Sequence, residues 1–322
     1  MIIRYLRSSI ALLLLAVPLA AEPDPAVLVR DGKADQALRI LNSQVQKNPN
    51  DAQAWNLICR VYFQLERWDE SARAAEKSVT LAPQNSEYHQ WLARAYGEKA
   101  DAAGALTAFN LVRKVKSEFE KAVALDEAGK NLSARSDLAE FYIEAPSIMG
   151  GDKAKARRLA DFVMKQDPGL GHYILGRLEE KQNAKNRAEQ EYKAAIQSSN
   201  NLARYWVTLA SFYRRAKRLE DMEAAINSSL TARREEGISL FDGASLLLNA
   251  GRNFPGAIQM LRQYLSLDDP AEDGPAFQAH YFLGVLLERQ GDAKAAAAEY
   301  RAATGLASDY RPAQEALSRL SH

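Results

Sequence analysis

The sequence predicts an all-α protein made of stacked helix hairpins, and three observations support this prediction. About one of every six of the 322 residues is alanine, the residue with the strongest helix propensity. Small residues recur at a nearly regular interval through most of the chain, which is typical of helical repeats. Prolines and glycines fall where helices should end, at Pro49, Pro83, Pro168, Gly32, Gly251 and Gly291.

Residues 1–21 are expected to be a signal peptide rather than part of the fold. Two arginines precede an apolar run at 10–17, and the small residues Ala20 and Ala21 follow it. The run is too short for a membrane span, which needs about 20 residues. We therefore expect cleavage next to Ala20 or Ala21, which leaves 40 basic and 41 acidic residues. An uncleaved N-terminal anchor and a buried first helix are the alternatives.

Two rows of residues carry the repeat. The first row is small, with spacings of 34, 46, 37, 34, 35 and 39 residues: Cys59, Ala93, Ala139, Gly176, Ala210, Ser245 and Gly284. The second row follows on the next helix and is mostly alanine: Ala37, Ser71, Val115, Ala156, Ala188, Met222, Ala257 and Ala296. Helices whose axes cross at about 8–10 Å need small residues at their closest approach. The rows therefore indicate antiparallel helix pairs, and the first row should be buried at the crossings.

The clearest repeat combines large, apolar, small and aromatic residues on one helix with two small residues and a proline after it: Trp55, Ile58, Cys59, Tyr62, Ser71, Ala75 and Pro83. This block resembles the tetratricopeptide repeat. The resemblance covers about residues 24–308. It implies a right-handed α-solenoid of about eight helix hairpins with a C-terminal capping helix at 311–320. The repeats are expected at approximately 22–51, 52–85, 86–129, 130–168, 169–202, 203–236, 237–271 and 277–310.

Insertions interrupt the repeat, and insertions in solenoids are expected to form loops. About ten extra residues, at 101–110, precede the second helix of the third repeat. A second insertion, at 142–156, contains a proline and a glycine pair. It should project from the fold with Ile148 and Met149 exposed, where it would contact a ligand or a partner. The alternative is a longer turn without a function of its own.

Catalytic and metal-binding patterns are missing from the sequence. A third insertion, at 268–276, lacks two of the ligands that a calcium loop requires. Cys59, the only cysteine, falls in the small row and should be buried. His89, His172 and His280 lie in non-adjacent repeats, too far apart for one metal ion. We therefore expect no catalysis, no cofactor and no metal site, and the net charge of +1 argues against nucleic-acid binding.

The concave face of such a superhelix is lined by the first helix of each hairpin. The residue after each small-row member should point to this face, which places Arg60, Arg94 and Arg177 there. Arginine binds carboxylates through bidentate hydrogen bonds, so these side chains should bind acidic groups of a partner, unless they serve only solubility. The other groove candidates are Asn56, Gln90, Tyr173, Arg204, Arg214 and Tyr281. The lysine–asparagine set with which some members of this family bind a C-terminal carboxylate is not reproduced.

Together these features predict an exported, periplasmic or secreted scaffold that binds a peptide or a partner protein in its groove. After signal cleavage we expect no stable membrane span, and we expect no nucleic-acid partner. The first alternative is an assembly or accessory subunit of an envelope enzyme complex. A second is an enzyme with its site at the 142–156 loop, and a third is a solenoid that only self-associates.

Overall fold

The computed structural model describes residues 22–235, 237–267 and 270–320. Within these ranges the chain forms 17 α-helices and one 3-10 turn, with no β-strand beyond an isolated bridge between Leu202 and Arg233. This confirms the all-α prediction. The predicted signal peptide, 1–21, lies outside the described residues. Among the helices of these ranges, none has the length and apolar character needed to cross a membrane.

Sixteen of the helices pair into eight consecutive hairpins, and the last helix covers the end, as the sequence predicts. The helices are α1 Pro25–Arg30, α2 Ala34–Lys47, α3 Ala52–Gln64, α4 Trp68–Leu81, α5 Ser86–Asp101, α6 Ala105–Leu125, α7 Leu132–Glu144, α8 Lys153–Met164, α9 Pro168–Lys181, α10 Lys185–Ser198, α11 Ala203–Arg215, α12 Leu219–Thr231, α13 Ile238–Ala250, α14 Phe254–Leu265, α15 Ala276–Arg289, α16 Ala293–Leu306 and α17 Arg311–Leu320. The 3-10 turn, Ser147–Met149, lies between α7 and α8.

The odd-numbered helices α1 to α15 are the first helices of the hairpins, and each contacts the next along the chain. They therefore form the inner layer of the solenoid. The even-numbered helices α2 to α16 lie outside them. The inner, concave surface is consequently built from side chains of first helices, as in other solenoids of helix pairs.

Small residues set the distance between the two helices of a hairpin. Cys59, Ala93, Ala139 and Ala210 have no exposed surface. A β-carbon on Gly176 would lie 2.6 Å from Cε1 of Tyr192 on the facing helix, so only glycine fits there. In the eighth hairpin, a β-carbon on Gly284 would likewise lie 2.5 Å from Cε1 of Tyr300. Large rings therefore pack directly against the opposite backbone, and the hairpin cores contain little empty space.

The sequence assigned Ser245 to the small row, but the structure places its neighbour Ala244 at the helix crossing, so this assignment is wrong by one position. Ser245 is only partly buried, whereas Ala244 is fully buried. The left-handed turn residue at Gly251, with φ of 65°, lies seven positions after Ala244. The corresponding left-handed residue, Asn183, likewise lies seven positions after Gly176. An extra residue after Gly251 lengthens this turn, and Asn253 also adopts a positive φ. The position on α13 that follows from its spacing to the row on α14 is therefore displaced by one residue.

Tyrosines at the ends of first helices join successive hairpins. The hydroxyl of Tyr96 donates a hydrogen bond of 2.6 Å to Glu76, which lies on the second helix of the preceding hairpin. Tyr142 and Tyr213 donate in the same way to Glu120 and Glu189, at 2.7 and 2.9 Å. Each bond ties two neighbouring hairpins through a charged acceptor, which makes it stronger than a hydrogen bond between neutral groups.

The insertion at 101–110 does not form a loop, so this prediction is wrong. Helix α5 continues to Asp101 and α6 already begins at Ala105, which gives α6 21 residues against 14 in α10. The extra residues lengthen both helices, because they contain alanine and other helix-forming residues. The hairpin projects beyond its neighbours and leaves Leu106 81% exposed.

The two ends of the solenoid meet. A β-carbon on Gly32, in the turn between α1 and α2, would lie 2.5 Å from the backbone nitrogen of Ala276. The backbone N–H of Ser308 donates to the carboxylate of Asp35, and helices α2 and α16 are in contact. The apolar core of the first five hairpins also includes residues from the other end of the chain: Phe277, Ala303, Ala307, Tyr310 and Ala313. The first hairpin thus packs against the eighth, and the solenoid closes on itself.

We predict that Gly176→Ala destabilises the protein by about 1–3 kcal/mol, because the added methyl group displaces the buried ring of Tyr192. Gly97→Ala is the matched control. Gly97 also lies within a first helix, but no atom is within 4 Å of its β-carbon position. That variant should be neutral or stabilising by up to about 1 kcal/mol. Chemical denaturation of both variants tests this, and equal effects would contradict the packing described above.

Candidate partner-binding site

The concave face carries a series of ion pairs between successive first helices. Arg94 on α5 donates to Asp137 on α7 at 2.7 Å. Arg177 on α9 donates to Glu140 on α7 at 3.0 Å, and Arg215 on α11 donates to Glu180 on α9 at 2.7 Å. These are charge-assisted bonds in a partly buried setting, so they contribute more than solvated pairs at the surface.

Arg60, the first of the predicted groove arginines, binds a carboxylate from the far end of the chain. Its Nε donates to Oε1 of Glu272 at 2.7 Å, and its Nη2 contacts the other oxygen of the same carboxylate. Nη1 of Arg60 also reaches Glu87 on α5, at 3.3 Å. Arg60, Arg94 and Arg177 thus lie on the inner face and all pair with carboxylates of this chain. Their use for an acidic partner stays a prediction.

A cavity of about 560 Å³ opens on the concave face of the fifth, sixth and seventh hairpins. Its lining combines apolar, aromatic and cationic side chains from α9, α11 and α13: Leu170, Tyr173, Arg177, Arg204, Tyr205, Val207, Thr208, Ser211, Arg215, Asp242, Ser245 and Leu246. Three of the predicted groove residues, Tyr173, Arg177 and Arg204, therefore lie together in one cavity. A mixture of apolar walls and a few charged groups is typical of a ligand site.

Arg204 is the predicted arginine with the most accessible side chain. It is 46% exposed, compared with 20–24% for Arg60, Arg94 and Arg177. Its guanidinium lies 4.9 Å from the ring centroid of Tyr205 and 3.5 Å from Asp167. The stacking orients the cation, and its exposure leaves room for a further hydrogen-bond acceptor.

The structure separates the remaining predicted site residues from this cavity. Asn56 is only 2% exposed, and its amide nitrogen has no hydrogen-bond partner in the part of the chain that is described. It lies within the wall of the solenoid because α1 packs against α3. Ile148, 87% exposed, and the partly buried Met149 lie in the 3-10 turn beside α6. Neither residue lines the cavity.

The acidic residues of the inner face were not predicted as site residues. Asp242 lines the cavity, and Asp137 binds Arg94. For Asp137, the sequence signal that could have identified it is its spacing. It lies three residues before Glu140, so both side chains lie on the same face of α7. The three histidines each bind a glutamate on the second helix of their own hairpin: His89–Glu118, His172–Glu191 and His280–Glu299. Within the described ranges, no group of three or more metal-ligating side chains comes together.

The side chain of Asp242 is exposed at the mouth of the cavity, and the hairpins packed around it remove part of its hydration. This enclosure, with a smaller effect from the charge of Asp273, raises the pKa of Asp242 to about 7. The folded protein therefore retains a proton between about pH 4 and pH 7 that the unfolded chain releases. The contribution of Asp242 to stability decreases through this interval and stays low above it.

We predict that Asp242→Asn raises the melting temperature more at pH 8 than at pH 5, because asparagine removes a charge that the folded state disfavours. Asp161→Asn, at an exposed position on α8, is the control for a general change of charge. Thermal unfolding at the two pH values measures the difference. An equal gain at both values would show that Asp242 is ionised throughout.

Comparison with known proteins agrees with this architecture. Residues 28–95 and residues 241–318 match two sequence profiles of the tetratricopeptide repeat. The structure resembles the crystal structure of yeast Tom70, with a TM-score of 0.52 and 15% identity over 94% of this chain and 64% of that chain. This likeness concerns the fold alone.

A curated relative is the cytochrome c-type biogenesis protein CycH of Bradyrhizobium diazoefficiens. It is 32% identical over 137 residues, which cover 42% of this chain and 33% of the relative. This chain thus matches about a third of the length of that protein. With repeat profiles matching near both ends and hairpins stacked throughout the described ranges, the chain is a tetratricopeptide repeat protein.

Proposed function

We propose that this chain is a non-catalytic protein–protein interaction scaffold of the cell envelope, which binds a peptide segment of a partner in its concave face. The observation that carries this proposal is the 560 Å³ cavity on α9, α11 and α13, where first helices of three hairpins contribute apolar and cationic groups. Its position on the inner layer is the one that solenoids of helix pairs use for binding.

The lining indicates what kind of segment would fit. Leu170 and Leu246 offer apolar surface, and Arg204 offers a cation whose side chain is 46% exposed. An apolar side chain next to an acidic one would match both features. The apolar group would supply most of the affinity, and the charge would set the register of the segment.

The non-catalytic part of the proposal rests on the one cysteine and on the fold. Cys59 is fully buried at a helix crossing, and this burial raises the pKa of its thiol to about 12. The thiol is therefore protonated at neutral pH and unsuited to act as a nucleophile. Tetratricopeptide solenoids generally serve as scaffolds, although fold alone does not dictate function.

A second candidate is an accessory or assembly role in the maturation of c-type cytochromes. The partial relationship to CycH favours this candidate. The signal-like segment at 1–21 is consistent with a place in the envelope, where such a scaffold would hold another component of the assembly. The partner in this case would be another envelope protein rather than a small molecule.

Crosslinking in the native host, followed by identification of the captured protein, tests the proposed function. We predict that the double variant Arg204→Ala/Leu246→Asn weakens binding of that partner by at least about tenfold, because it removes one charge contact and one apolar contact. The control is Leu230→Asn/Arg262→Ala, which makes the same chemical changes at exposed positions on α12 and α14. Unchanged affinity in the cavity variant would reject the cavity as the binding site.

A further inference from the structure

Residues 270–275, which precede α15 and are termed the loop here, contact the concave face of the second and third hairpins. The carboxylate of Glu272, in this loop, accepts two hydrogen bonds from the guanidinium of Arg60 on α3 in a bidentate arrangement. The backbone oxygen of Glu272 accepts a hydrogen bond of 2.9 Å from Nε2 of Gln64. Both contacts join residues more than 200 positions apart in the chain. This part of the chain therefore does more than connect two helices.

The surface that receives the loop is formed by Arg60, Gln64, Trp91 and Arg94, which we term the arginine cradle. The guanidinium carbons of Arg60 and Arg94 lie 5.3 and 4.9 Å from the ring centroid of Trp91. Two cations thus lie against one indole, which limits their freedom and orients their N–H groups. The cradle is preorganised for negative charge and for backbone carbonyl oxygens.

Asp273 adds a second negative charge near the cradle. Enclosure by protein lowers the pKa of Arg94, but the carboxylates of Asp137, Asp273 and Glu272 outweigh this effect and raise it overall. Unlike Glu272, the side chain of Asp273 is exposed. The Glu272–Asp273 pair therefore presents two adjacent carboxylates to the cradle from a turn that is closed by the hydrogen bond from the N–H of Gly274 to the carbonyl of Ala271.

The cradle has space beside the loop. A cavity of about 310 Å³ lies between the two, lined by Phe63, Gln64, Glu66, Trp68, Trp91, Glu98, Glu272, Asp273, Pro275 and Gln278. Its walls combine aromatic rings from α3, α4 and α5 with the carboxylates of Glu66 and Glu98, so the space suits an apolar side chain and not a further acidic one. A bound segment could therefore place an apolar side chain next to its acidic residues.

We propose that the arginine cradle is a docking site for an acidic peptide segment of a partner protein, and that the chain's own Glu272–Asp273 loop occupies this site in the closed protein. The inference rests on the proposed function, since it assigns a second site on the same concave face. The loop acts as an intramolecular competitor. An acidic segment binds when it replaces the carboxylate of Glu272 on Arg60.

The Glu272 side chain can leave Arg60 without opening the ring, because the hydroxyl of Tyr264 holds the flanking backbone of Ala271 and Gly274 in place. The two ends of the solenoid are also held by the packing of Gly32 on Ala276 and by the hydrogen bond from the backbone N–H of Ser308 to the carboxylate of Asp35. Neither contact involves the Glu272 side chain. Because the loop is covalently attached, its effective concentration at the cradle is on the order of mM, so it suppresses all but strong competitors.

The test uses a fluorescent peptide of the loop sequence Pro-Ala-Glu-Asp-Gly-Pro with blocked termini. The variant Glu272→Gln/Asp273→Asn keeps the shape of the loop and removes its charge. We predict that this variant binds the peptide at least about tenfold more tightly than the parent, because the competitor is gone. Adding Arg60→Ala/Arg94→Ala should abolish the gain, and a peptide with Gln and Asn in place of the acids should not bind.

Equal binding by the parent and the loop variant would overturn the proposal, as would binding that survives loss of the cradle arginines. Glu272→Gln alone is the second loop variant, should the double substitution impair folding, and it should give a smaller gain in the same direction. Circular dichroism and thermal unfolding check the fold of each variant. The Arg204→Ala/Leu246→Asn variant should bind the peptide like the parent, which separates failure of this site from failure of the cavity.

Discussion

The contact between the first and the eighth hairpins determines which residues become neighbours on the inner surface. At Gly32 the turn of the first hairpin comes so close to the backbone of Ala276 that no side chain fits between them. This closure converts an open-ended arc of hairpins into a ring around the inner face. Side chains of the first helices face one another across it, and residues from opposite ends of the sequence become neighbours, as Arg60 and Glu272 do.

Enclosure explains the electrostatics of the inner face. Charges removed from bulk water need partners, and the chain supplies them between successive hairpins, as in Arg94–Asp137 and Arg177–Glu140. Asp242 forms no such ion pair among the described residues, and its partial loss of hydration, with a smaller effect from the charge of Asp273, raises its pKa to about 7. The inner surface therefore combines paired arginines, which hold the hairpins in register, with groups such as Arg204 that remain accessible.

The fold could be predicted from the sequence because its cause is local. Small residues such as Ala93 and Gly176 recur at the hairpin interval, since each helix crossing repeats the same packing. The one-residue error at Ser245 arose where an extra turn residue broke that interval. The closure could not be predicted, because it depends on the curvature summed over eight hairpins. The sequence therefore singled out Arg60 but did not reveal its partner Glu272, which lies 212 positions away.

The most direct test of the closed solenoid is a distance between its two ends. Spin labels on cysteines replacing Arg39 on α2 and Arg301 on α16, both exposed, would report it in a chain carrying Cys59→Ala. Because α2 and α16 are in contact, pulsed electron paramagnetic resonance should give a single narrow distribution of short distances between the two labels. A broad distribution at long distances would show that the ends are apart in solution, and it would contradict the enclosed inner face on which this account depends.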